Sequence, residues 1–374
     1  MNLSKKSIVT AAILALSAST AVAGGLDRTT YSPNILFEQG NYIEGSWARV
    51  DPDLSGDVFF PGVMMIPAVN GVSDIAPAYT LTGFAAKFDI NDRIAVAFQT
   101  FQNVGYDIDY KGPPNFYFPL EAHIDGRAYV GTAKFNVTDR FSVFGGVKYV
   151  VAGGDAVALY GFPGETWEFE DGHGMGYIAG VAYQIPDIAL RVSLTYESAF
   201  DFDLDTTRTF VGSINGTTTA RIPEAWELYF QTGIAPGTLL FGSVRHTSWS
   251  DAQLVLFDNN VPAFGGGSNA ITDFSDIMTY NIGIGKQLTE SLSGSLSVTF
   301  EPSDGKPSTL QPTGDKLTLG AGVKVKLTEN VEWSLGASYT WLGDNRTNLP
   351  APLVNAKFDG SNAIAWGTKI GLRF

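Results

Sequence analysis

Residues 317–327 place Leu317, Leu319, Ala321, Val323, Val325 and Leu327 at every second position, with Thr318, Gly320, Gly322, Lys324 and Lys326 between them. A period of two puts successive side chains on opposite faces of a β-strand, so this segment has one face for an apolar environment and one for water. The pattern returns along the chain. Ile188, Leu190, Val192, Leu194 and Tyr196 oppose Arg191, Ser193, Thr195 and Glu197, and 292–300 repeats the alternation with serines on its polar face. Val331, Trp333, Leu335, Ala337, Tyr339 and Trp341 oppose Glu332, Ser334, Gly336, Ser338 and Thr340. Fourteen such strands are predicted, at 42–50, 79–89, 93–106, 125–136, 140–151, 174–185, 188–200, 222–235, 238–250, 277–288, 291–301, 315–327, 330–342 and 363–374.

The connections alternate as strictly as the residues. Short turns fall at Asn91-Asp92, Thr138-Asp139, Pro186-Asp187, Pro236-Gly237, Thr289-Glu290 and 328–330, and long segments lie between them at 52–78, 152–173, 201–221 and 251–276. Short turns at one end and long loops at the other are the pattern of outer-membrane strands, whose backbone must close into a barrel because lipid offers it no partner. The fold class is therefore an all-β transmembrane antiparallel barrel of about fourteen strands. A soluble sandwich or propeller also alternates, but its outward face is polar; here Trp, Tyr and Phe crowd the apolar face of successive strands.

Composition agrees with that reading. The chain has no cysteine, so an exported protein of this kind is not held by disulfides. Charged residues make up 17%, below the ~25% of soluble domains. The first residues read as an export signal: Lys5 and Lys6 precede an apolar run from Ile8 to Leu16 that closes on Ala21, Val22 and Ala23. Residues 1–23 are assigned to this signal, 24–41 to an N-terminal segment and 42–374 to the barrel. A formal charge of −14 disfavours nucleic acid as a partner. The last strand ends on Phe374, an aromatic that reads as an insertion signal for the outer-membrane assembly machinery, while the apolar strand faces meet outer-membrane lipids.

Catalytic chemistry finds no support. His123, His173 and His246 have no second ligand at metal-binding spacing. Asp201, Asp203 and Asp205 open like a calcium loop but meet Thr206 and Gly212 where that motif wants Gly and Glu. There is no Gly-x-Ser-x-Gly elbow, and nothing calls for a cofactor.

Ser32-Pro33-Asn34, then Asp51-Pro52-Asp53-Leu54-Ser55-Gly56, and then Phe88-Asp89-Ile90-Asn91-Asp92-Arg93 resemble the long-chain fatty acid transporters of the FadL/TodX outer-membrane family. The likeness continues through 183–198 and 239–245. It implies a fourteen-stranded barrel plugged by an N-terminal hatch, here including Ser32, Pro33, Asn34 and Phe37. The family's hatch usually carries Asn-Pro-Ala, and 24–41 is shorter than that hatch. It also implies passive carriage of fatty acids or other hydrophobic molecules, with lateral release at a kink in the third strand. In this chain that strand loses clean alternation around Asn103, Val104 and Gly105, the strand-kink candidates. Glycine and asparagine tolerate the dihedrals a kink needs. The alternative for these residues is an ordinary strand end.

Two further groups are candidates for ligand contact. The loop 152–169 carries Val157, Leu159, Tyr160, Phe162 and Trp167, more apolar surface than a solvated loop needs, either to receive acyl chains or to pack against neighbouring loops. Lys148 and Arg191 lie on polar strand faces as lumen cations for a carboxylate. The functional expectation is a non-enzymatic outer-membrane transporter of long-chain fatty acids or similar compounds, with a general diffusion porin for small polar solutes as the alternative.

Overall fold

The computed structural model describes residues 25–59, 69–72, 75–110, 120–157, 159, 164–257, 272, 274–303, 313–348 and 355–374. The export signal 1–23 lies outside the described residues. In chain order the strands are β1 (Tyr42–Asp53), β2 (Gly56–Phe59), β3 (Val69–Val72), β4 (Tyr79–Asp89), β5 (Ile94–Asp109), β6 (Glu121–Asn136), β7 (Phe141–Val157), β8 (Thr166–Ile185), β9 (Leu190–Glu197) and β10 (Phe200–Thr209). They continue as β11 (Ser213–Ile222), β12 (Ala225–Ala235), β13 (Thr238–Thr247), β14 (Ile277–Gln287), β15 (Leu292–Glu301), β16 (Lys316–Lys326), β17 (Val331–Leu342), β18 (Asn345–Asn348), β19 (Asn355–Phe358) and β20 (Asn362–Arg373).

Fourteen of these, β1, β4 to β9, β12 to β17 and β20, pair antiparallel with their neighbours and close on themselves. β1 meets β20 along its whole length, from Tyr42↔Arg373 to Asp53↔Asn362. The barrel follows from the alternation. Along β16, Leu317 and Leu319 are exposed outward while Lys316 and Thr318 are buried inside. Outward aromatics gather in pairs, Tyr196 with Trp226, Tyr339 with Trp341 and Trp47 with Trp366, as at a membrane–water interface.

The short turns share a device. Asn91 Oδ1 accepts the backbone N–H groups of Arg93 and Ile94, and Thr138, Thr289 and Thr328 do the same for the residues two and three positions on. A side-chain oxygen that ties its own backbone fixes a tight turn without a longer connection.

The long-loop end holds more strand than the sequence suggests. The segment 201–221, predicted as a loop, forms the β10–β11 hairpin, and β10 pairs with the start of β8. Phe202 and Leu204 are buried while Asp201, Asp203 and Asp205 are exposed, so the acidic run is the wet face of a strand. Most of 152–173 likewise belongs to β7 and β8, which run past the membrane-spanning part of the barrel. A separate sheet, ordered β18-β19-β2-β3, is built from the connections β1–β4 and β17–β20.

Residues 25–41 cross the lumen. A 3-10 turn, Pro33–Phe37, is capped by Ser32 Oγ accepting from Asn34 N at 3.4 Å. Ile35 and Leu36 pack on the inward residues Tyr42, Ala85, Ala97, Phe144 and Ala182 of five different strands. Polar contacts then reach round the wall: Gln99 Nε2 donates to Ser32 O, Lys87 Nζ to Glu38 O and Gly40 O, and Arg373 Nη2 to Glu38 Oε2.

Candidate functional site

One seam of the barrel is open. β4 and β5 pair from Gly83↔Phe101 to Asp89↔Ala95, at the short-turn end. Beyond Phe101, β5 keeps pairing with β6 as far as Asp109↔Glu121, but with a register shift between Gln102 and Val104 that makes Asn103 a β-bulge. A bulge bends its strand and ends regular pairing. Residues Tyr79 to Thr82 of β4 are left without backbone partners from β5.

Side chains replace the missing ladder. Gln102 Oε1 accepts from Thr82 N at 2.7 Å, and Gln102 Nε2 donates to Thr80 O at 3.4 Å, so one amide satisfies both kinds of exposed backbone group. Arg127 of β6 braces the same place, donating to Thr82 Oγ1 at 2.7 Å and Thr100 Oγ1 at 3.2 Å. On the lumen side the N-terminal segment takes up the backbone groups that the bulge turns inward. Arg28 N donates to Asn103 O at 2.8 Å, Gly105 N to Leu26 O at 2.8 Å, and Asn103 Nδ2 to Thr29 O at 3.1 Å.

The open seam bounds a cavity of about 320 Å³. Arg28 stands in it, with its guanidinium 3.5 Å from the centre of the Tyr79 ring and Nη2 2.8 Å from Asp107 Oδ2. The other oxygen of Asp107 meets His123 Nδ1. Neither Asn103 nor Gly105 has a positive φ, so unusual dihedrals are not why they stand here. A Cβ at Gly105 would lie 2.9 Å from Arg28 Cγ and Nε: glycine leaves the space in which Arg28 lies across the strand.

Behind the seam, towards the long-loop end, is a tight apolar pocket of about 50 Å³ among Leu26, Val104, Phe169, Phe202, Leu204 and Trp249. Ile124 borders both this pocket and the cavity of the seam. Leu159 lines an adjoining niche with Ile124 and Phe169. Trp167 is buried behind the pocket, stacked on Phe169 with centroids 6.2 Å apart and crossed by the Arg208 guanidinium. Val157 ends β7, and Tyr160 and Phe162 lie outside the described residues.

Lys148 and Arg191 point inward and are partnered. Lys148 Nζ lies 2.9 Å from Glu197 Oε2, and Arg245 binds the other oxygen of Glu197 at 2.8 Å. Arg191 donates to Asn34 Oδ1 at 2.5 Å and Gln231 Oε1 at 3.1 Å, over the face of Phe37. Thus Asn34 and Phe37 anchor the N-terminal segment through Arg191. Asp27 lies near this group; burial raises its carboxyl pKa, Arg245 and Lys148 pull it back, and Trp249 Nε1 donates to it at 3.3 Å.

Sequence reasoning placed Gln102 in the stretch that loses alternation but missed the part its side chain plays, and it missed Arg28, Arg127, Ile124 and the Phe202–Leu204 side of the pocket. Only the last left a local signal, the alternation within 200–205.

The chain is thus a fourteen-stranded transmembrane barrel with an apolar outer surface, a lumen crossed by its own N-terminal segment and an apolar pocket beside an open seam. The family model described as outer membrane protein transport protein (OMPP1/FadL/TodX) matches residues 3–371, and the chain belongs to that family. A long-chain fatty acid transport protein of Escherichia coli O6:H1 is 25% identical in an alignment 204 residues long that covers 47% of this chain and 43% of that protein. The match thus spans less than half the length of that curated relative. In fold, the chain resembles a FadL homologue of Pseudomonas aeruginosa (TM-score 0.71, 13% identity, 91% of this chain and 92% of the other). It also resembles the toluene transporter TodX of P. putida (TM-score 0.65, 11% identity, 94% and 96%). A third likeness is to the toluene transporter TbuX of Ralstonia pickettii (TM-score 0.61, 14% identity, 96% and 97%).

Proposed function

We propose that this protein carries long-chain fatty acids or compounds of similar hydrophobicity passively across the outer membrane and releases them sideways through the β4–β5 seam. The observation that carries the reading is the shared wall at Ile124, which joins an apolar pocket on the long-loop side to an opening in the barrel wall. A ligand that leaves through the wall stays in contact with apolar surface and avoids ~0.8 kcal/mol for each methylene exposed to water. The pocket is small as it stands, so the side chains from the outer hairpin and from 249–257 move apart when a ligand enters. Leu159 joins the ligand contacts in that movement, with Val157 on the approach. The N-terminal segment acts as the hatch that keeps the lumen from conducting small solutes, held by Arg191 and Arg373.

The test is transport by the purified and the expressed protein side by side. Uptake of oleate by cells without a long-chain transporter of their own should rise on expression, and planar bilayers containing the protein should show no large, steady ion current. A steady current without oleate uptake would establish a diffusion porin instead.

A further inference from the structure

We propose that Arg28 reads the carboxylate of an outgoing amphiphile, exchanging Asp107 for the ligand's headgroup as the ligand passes the open seam. This rests on lateral release of fatty acids through the β4–β5 seam and adds to it a specificity-determining residue at the exit.

The charges around the opening make a cation there necessary for such a ligand. Asp107 and Asp125 both line the cavity, so an anionic headgroup entering it meets two carboxylates. Arg28 and His123 line it too, and the outward-pointing Arg127 is occupied with Thr82 and Thr100. Arg28 is the group placed for exchange. Its stem lies across Gly105 and its guanidinium on the Tyr79 ring, both of which hold it in position whichever anion it binds. A planar guanidinium that stacks on an aromatic and pairs with a carboxylate through one edge suits a second carboxylate equally well. When Arg28 turns to the ligand, Asp107 keeps His123 as a partner. The backbone of Arg28 is anchored to Asn103, so the guanidinium can exchange one anion for another while the segment stays on the bulge. An uncharged chain of the same length needs none of this.

The experiment compares oleate with oleyl alcohol, equal in length and different in charge, in cells without a long-chain transporter of their own. Arg28→Gln should lower oleate uptake about tenfold and leave oleyl alcohol within about twofold. Arg28→Lys should keep much of the oleate uptake, and adding Asp107→Asn to Arg28→Gln should restore part of it by removing one repelling charge. Equal losses of both substrates in Arg28→Gln, or no loss of either, would overturn the assignment, as would a double variant no better than the single one. The underlying exit is read separately from Asn103→Thr/Gly105→Val. If that variant carries both substrates at the unaltered rate, lateral release fails; if it carries neither and Arg28→Gln shows no charge preference, Arg28 alone fails.

Discussion

Two seams of the barrel, β1–β20 and β4–β5, lie two strands apart and are built in opposite ways. The first is paired over twelve residues with no register shift. The second is paired over seven and then stops. Inside the closed seam, Glu332 gathers Arg373 at 2.7 Å, Tyr42 Oη at 3.1 Å and Lys324 at 3.2 Å, while Lys369 pairs with Glu44 at 2.6 Å. At the open seam the contacts that matter replace a backbone ladder rather than brace one. The difference shows that a membrane barrel tolerates an opening where side chains and an inner segment satisfy the backbone groups it frees.

The largest expected effect falls on the closed seam. Glu332→Ala takes a buried carboxylate from Lys324 and Tyr42, while Arg373 keeps Glu38, and should destabilise the barrel by about 3 kcal/mol. The measurement is the temperature at which the folded band is lost on a denaturing gel, which should drop sharply. An unchanged temperature would remove the ion network from the account of this seam.

Closing the open seam comes next. Asn103→Thr with Gly105→Val favours regular strand geometry and displaces Arg28, and should reduce oleate uptake roughly tenfold, or about 1.4 kcal/mol, at unaltered outer-membrane abundance. Gln102→Leu has a smaller effect of the opposite kind: Thr82 N and Thr80 O lose their partner, at about 1–2 kcal/mol of stability, without loss of uptake. If the loss of stability equals that at Glu332, the two seams do not differ as described.

The smallest effect concerns Asp27. Burial raises its carboxyl pKa above the ordinary 3.8, so its contribution to stability is present in full below 3.8 and is lost as pH rises through the folded-state pKa. Unfolding profiles of the native protein should show this dependence, and Asp27→Asn should flatten it. Identical profiles would place Asp27 in water rather than against Trp249.

The strands of the barrel were legible because an amphipathic strand states its two faces locally. Twelve of the fourteen fall within about four residues of their predicted bounds, while β7 ends about six residues later and β8 begins about eight earlier than predicted, and the bulge at Asn103 lies where alternation is lost. What fills the opening was not legible. Arg28 and Asp107 are 79 positions apart, and no local pattern announces that a glutamine side chain will stand in for a strand. The partners of Lys148 and Arg191, which read as lumen cations for a carboxylate, were not legible for the same reason, since Glu197 and Asn34 reach them only through the fold. The hairpin at 200–222 was hidden differently: its alternation was present, but a run of aspartates in a long segment between strands reads as a solvated loop.

The contact of Glu38 with Arg373 has a consequence for the order of assembly. The two are 335 positions apart, and the segment that carries Glu38 lies within the ring that the Arg373 strand completes. The segment joins β1 at the short-turn end, and Glu38 meets Arg373 only when the last strand stands beside the first. Joining residues so far apart in sequence is a slow step. The contact of residues 25–41 with the last strand is therefore a late one, absent from any barrel still open between β1 and β20.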